Sequence, residues 1–159
     1  MIKQSYKVKA LLEGLDMVSP DFEVFIHKKI KKLFTMTSDE FMRYECLSVD
    51  EFNALEPWEK KQAKMVEDIL YTEPCTYLKL SNAHTLNKHQ IMVDFALTLP
   101  YGLSEALLQM LHHKGAFSEF KHFIHKHLLV NDWYQYKKQA FMKKLADWAV
   151  LNDIEIEYE

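Results

Sequence analysis

A chain of 159 residues, 48% hydrophobic and 13% aromatic, holds enough material for one buried core without staples, and only three Gly and four Pro exclude low-complexity or linker-rich construction. Two cysteines without metal-like spacing, Cys46 and Cys75, read as free, packed thiols in a reducing cytoplasm. The formal net charge of −3 is uneven: residues 111–144 carry seven Lys against two acids, whereas residues 145–159 carry five acids and no base.

In chain order, Val8, Leu11, Leu12 and Leu15 recur at helical spacing, which predicts a first amphipathic helix from Ser5 to Val18 stopped by Ser19-Pro20. Phe22, Val24 and Ile26 alternate with polar residues, Lys28-Lys29 supply a turn, and Ile30 to Met36 is again β-prone, so a short hairpin follows. Thr37 or Ser38 caps a short helix at Asp39-Glu40, because a hydroxyl oxygen there accepts from the free amides of a first turn. Residues 46–58 carry the weakest pattern. Pro57 suits a first helical position, and Trp58, Ala63, Val66, Ile69 and Leu70 continue a helix to about Tyr71, with Pro74 as its barrier.

Residues 76–80 predict a strand with Leu78 and Leu80 on one face. A helix opened by Thr85 or Asn87 runs through Ile91, Phe95 and Leu99 and is closed by Pro100-Tyr101-Gly102. Leu103, Ala106, Leu107, Met110 and Leu111 form the next stripe, ended by Gly115 as a left-handed C-cap. Ala116, Phe117, Phe120, Phe123, Ile124 and His127 make a further stripe. Asn131 or Asp132 then caps a last helix striped by Trp133, Tyr136, Ala140, Phe141, Leu145 and Trp148. Residues 154–158 alternate strictly, the mark of a half-buried terminal strand that pairs with another strand or leaves an exposed edge.

The fold class is therefore α+β, a predominantly helical single domain over residues 1–159. It joins an N-terminal helix-hairpin part, 1–45, to a helical part, 57–159, with short strands near 76–80 and 154–158. The N-terminus is too polar for a signal peptide, and no run approaches the ~20 apolar residues that a membrane-spanning helix needs. No membrane partner and a cytoplasmic location are expected.

The order Ile91-Met92-x-x-Phe95-x-x-x-Leu99-Pro100, Gly115-Ala116-Phe117-x-x-Phe120-Lys121, Trp133-Tyr134-x-Tyr136 and Ala146-x-Trp148-x-x-x-Asn152-x-Ile154 resembles a bacterial group, uncharacterised protein family 0158. The resemblance is specific from residue 88 onward. It implies a fold and a bacterial cytoplasmic setting, and it transfers no catalytic residue. Ser118-Glu119 depart from the basic residues that members of that group often carry between the two phenylalanines.

The chemistry-bearing residues name no reaction. A Gly-x-Ser-x-Gly elbow, a phosphate-cradling glycine loop and a His-Glu-x-x-His pattern are all missing from the sequence, so no catalytic, cofactor or metal residue is assigned. Adjacent acids such as Asp39-Glu40 diverge by about 100° on a helix and read as surface charges. His122 and His125, three apart, present two imidazoles to one side, which at most suggests a metal-using enzyme.

Lys121, His122, His125 and Lys126 share a polar helix face, and Tyr134, Lys137 and Lys138 follow on the next helix. Together they form the candidate binding surface. The leading expectation is a non-enzymatic binding or regulatory module working through protein contacts or self-association. The alternative is a nucleic-acid-associated accessory protein that uses the basic segment 114–144.

Overall fold

The computed structural model describes residues 4–72, 75–81, 83–113 and 116–158. Its class is α+β with helix predominant, as the patterning predicts. Two compact units are present, Met1–Thr85 with Trp148–Glu159, and Leu86–Asp147. The chain runs β1 (Gln4–Lys7), α1 (Val8–Met17), β2 (Phe22–His27), β3 (Leu33–Thr37), α2 (Ser38–Glu45), α3 (Val49–Asn53), α4 (Pro57–Tyr71) and β4 (Tyr77–Lys79). It continues through α5 (Ala83–Leu86), α6 (Lys88–Leu97), α7 (Tyr101–Met110), α8 (Ala116–Lys126), α9 (Val130–Leu151) and β5 (Ile154–Glu157).

The first unit centres on an antiparallel sheet ordered β3-β2-β4, with Phe25 opposite Phe34 on one side and Lys79 on the other. Val24, Phe25 and Ile26 are all buried, which a one-faced strand would not allow. The reason is a helix layer on each side. α1 packs Leu11 and Leu15 toward one face, and Gly14 lets it approach so closely that an added Cβ would lie 2.5 Å from Leu80 Cδ2. α2 covers the other face, where Phe41 stacks on Phe25 at 6.0 Å, and α4 adds Ala63 and Val66 around Met36 and Tyr44.

The hairpin turn is longer than Lys28-Lys29, and Ile30 lies in it, exposed, so β3 begins only at Leu33. With no glycine available, Lys31 takes the left-handed conformation at φ 59°. His27 Nδ1 supports the turn by accepting from the amides of Lys29 and Ile30 at 3.1 and 3.3 Å. Lys31 Nζ in turn donates to the Ser5 carbonyl and sits 5.3 Å from the Tyr6 ring centre, which ties the turn to β1.

Residues 5–7 are not helical as expected. They belong to β1, which pairs in parallel with β5 in register Gln4 to Ile154 through Lys7 to Glu157, reinforced by Ser5 Oγ donating to Glu157 at 2.8 Å. The expected terminal strand thus forms inside this chain. At the edge of β4, the outward carbonyl of Lys79 accepts from Trp148 Nε1 at 3.2 Å.

Other expectations shift in detail. Thr37 is the cap of α2, accepting from Glu40 N at 3.1 Å. The weakly patterned stretch contains α3, held by a reciprocal Ser48–Glu51 capping box. α4 spans Pro57 to Tyr71 as predicted, but Trp58 and Leu70 are exposed at 62% and 38% and lie outside the core stripe. Cys46 is exposed rather than packed, and Cys75 is half-buried; both are free. Pro74, the expected helix barrier, lies outside the described residues.

In the second unit, Pro100-Tyr101-Gly102 do not merely close a helix, because Tyr101 and Gly102 already belong to α7. Phe95, Phe120, Trp133 and Tyr136 interlock, with ring centres 4.7 Å apart for Phe120–Trp133 and 5.3 Å for Phe95–Trp133. That cluster joins α6, α8 and α9.

Candidate functional site

Where α8 ends decides which side chains α9 presents. Leu128 adopts φ 58°, Leu129 N donates to Ile124 O at 2.8 Å, and Leu128 N donates to His125 O at 3.3 Å. This double bond pattern about a left-handed residue terminates α8 within one turn. The next helix begins at Val130, so Asn131 and Asp132 lie inside its first turn instead of capping it. The expected cap Gly115 lies outside the described residues.

On α8, the buried sector comprises Ala116, Phe120, Phe123 and Ile124. Phe117 does not join it. At about 100° from Ala116 it stands at the sector's margin and is 53% exposed, with Lys121 Nζ 4.8 Å from its ring centre. Lys121, His122, His125 and Lys126 are all exposed, as the polar-face reading expects. His127 is half-buried against the Phe123 ring at 4.3 Å.

On α9, Tyr134 is 55% exposed, off the core stripe as expected. Lys137 Nζ lies 5.1 Å from the Tyr134 ring centre and 5.8 Å from that of buried Phe141, and Lys138 is exposed. The Lys137 ammonium therefore lies within cation–π range of both rings.

The contacts divide the candidate set by orientation. Lys121 pairs with Phe117 at one margin of α8, whereas His122 faces a groove shared with α7. The groove has a volume of ≈ 680 Å³, its apolar part from Ala106 and Met110 and its polar walls from Gln109, His113, Ser118, Glu119 and His122. Sequence reasoning missed the α7 side. Ala106 and Met110 continue a stripe that reads as core, yet Ala106 is exposed and Leu107 and Leu111 alone are fully buried at this end. The available signal was the pairing of a small residue on α7 with the polar run Ser118-Glu119 on the following helix.

Among the described residues, no group of three or more His, Cys, Asp or Glu side chains is placed to hold a metal ion. Among them, too, no helix is long and apolar enough to cross a membrane.

The profile of the Uncharacterised protein family (UPF0158) matches residues 52–159, more than half of the chain. The chain belongs to UPF0158. No curated protein and no solved structure matches it. The UPF0158 match reaches upstream to Phe52, well before the motifs at Ile91, so it takes in α4 and β4 along with the whole helical unit. UPF0158 carries no activity in its description, and the α7–α8 groove and the two lysine-backed rings both lie within the matched span.

Proposed function

We propose that this UPF0158 member is a non-enzymatic binding module that works through protein contacts, with the α7–α8 groove as the docking surface. The observation that carries the reading is the groove itself. A wide, shallow concavity lined by Ala106 and Met110 together with hydrogen-bonding side chains suits a partner's helix laid across it. The surrounding unit also carries eight Lys against five Asp and Glu, so it favours a partner of acidic character.

A photoreactive residue placed singly at Gln109 or His122, with Lys64 on α4 as control, tests this in the native cell. A discrete adduct from the groove positions only, destroyed by protease and resistant to nuclease, is the expected result. Equal labelling from Lys64, or no adduct from the groove, rejects the docking surface.

A second reading, a nucleic-acid accessory role, is favoured by one observation: Phe117 and Tyr134 are exposed rings with a lysine over each. Such pairs suit stacked single-stranded bases, although Glu119 and Asp132 oppose phosphate nearby. Binding that falls steeply with salt and is lost in Lys137→Glu/Lys138→Glu supports it; salt-independent binding or none at low salt removes it.

A further inference from the structure

Away from the groove, the first unit holds a smaller concavity of ≈ 310 Å³ under α2 and α4, on the β2–β4 half of the sheet. The apolar floor of its lining comes from Phe25, Phe41 and Ile69, with Cys75 and Tyr77 beside them. Its rim is different. Glu23 on β2 and Lys79 on β4 also line it, and Lys79 Nζ meets Glu23 Oε2 at 2.9 Å. The volume lies at the small end of the ~300–1,000 Å³ typical of small-molecule sites, which suits a small occupant.

The charges constrain the chemistry further. A simple anion would draw Lys79 away and leave the Glu23 carboxylate facing it, and a simple cation would do the converse. A ligand that carries an ammonium and a carboxylate on one carbon satisfies both, with its ammonium on Glu23 and its carboxylate on Lys79. Its side chain then descends onto the Phe25–Phe41 stack, whose rings lie 6.0 Å apart with an interplanar angle of 17°. We propose that this pocket binds a free α-amino acid with an apolar side chain, read by the Glu23–Lys79 pair above the Phe25, Phe41 and Ile69 floor.

L-phenylalanine is the probe, added to the full chain and followed by isothermal titration calorimetry and thermal shift. Saturable binding is expected, weakened about tenfold or more for 3-phenylpropionate and for phenethylamine, which each lack one charge. Glu23→Gln and Lys79→Gln sit at the solvent-facing rim and keep the fold by circular dichroism, and each weakens L-phenylalanine by a similar factor. Phe41→Trp, which fills the floor, abolishes binding. No saturation up to ~10 mM, equal binding of either analogue, or unchanged binding in both rim variants overturns the assignment. Ala106→Arg, in the α7–α8 groove, leaves this titration unchanged, so the two sites stand or fall separately.

Discussion

The two units solve the burial problem in opposite ways. In the first, a three-stranded sheet lies between α1 and the α2–α4 layer, and its strands recruit partners from distant parts of the chain; it carries twelve Lys and Arg against eighteen acids. In the second, successive helices close on an aromatic cluster, and the charge is reversed, eight bases against five acids. A sheet sandwiched on both faces needs close backbone approach and leaves little tolerance. A helical cluster relies on a few large rings and leaves its polar faces free to vary. That difference teaches where each unit is fragile and where it is open to ligands.

The largest expected effect is at the centre of the aromatic cluster. Phe120 is fully buried, in edge contact with Trp133 at 4.7 Å and Phe95 at 6.4 Å. Phe120→Ala removes those ring contacts and leaves a cavity, so it should cost about 3–5 kcal/mol. Urea denaturation followed by tryptophan fluorescence measures it. A loss below about 1 kcal/mol would mean that the second unit is not organised around these rings.

Glycines sharpen the contrast at intermediate size. At Gly14 an alanine Cβ would lie 2.5 Å from Leu80 Cδ2 and 3.1 Å from Leu33 Cδ2, both side chains packed against α1, so Gly14→Ala should destabilise by about 1–3 kcal/mol despite its better helix propensity. At Gly102 in α7 an added Cβ meets nothing within 4 Å. Gly102→Ala should therefore stabilise by about 0.5–1 kcal/mol. The same substitution in the same kind of element takes opposite signs, and thermal unfolding of the two variants checks it. Two changes of the same sign would refute the close-packed account of α1 against the sheet.

Sequence legibility follows the same division. The helices of the second unit were readable because their cores repeat every three or four residues, and Phe120, Phe123, Ile124, Trp133, Phe141 and Leu145 are buried as their spacing predicts. Phe117 and Ala106 misled because marginal positions on a stripe look the same as central ones until a neighbouring helix covers or leaves them. In the first unit, β1 was unreadable: four residues carry too little alternation, and its partner β5 lies some 150 residues away, as the Ser5–Glu157 bond records with a separation of 152. The weak stretch before Pro57 hid α3, whose signal was the capping box rather than any apolar period. Of the candidate surface, the exposure of Tyr134, Lys121 and His122 was legible, and the groove was not. A groove is a property of two helices, and the residues on α7 that shape it resemble core.

A last effect, no larger than those at the glycines, probes the seam that the sequence concealed. Tyr6 on β1 is 1% exposed, and its hydroxyl finds no hydrogen-bond partner among the described residues. Burial pushes its pKa above the ordinary 10.0. Tyr6→Phe keeps the ring, including its contact with Lys31, and removes the unsatisfied hydroxyl, so it should stabilise the protein by about 1 kcal/mol at neutral pH. The pH dependence has a definite sign. Because the folded pKa is raised, the unfolded chain ionises first, and stability is fully present below pH 10.0 and falls as pH rises above it. Tyr44 and Tyr77, also raised by burial in the first unit, add to that slope and keep it in the variant. Denaturation at neutral pH and again above pH 10.0 should show the variant's advantage growing in alkali; an advantage that shrinks, or a variant weaker at both, would show that the hydroxyl is bonded and that the β1–β5 seam is held differently from the way its geometry indicates.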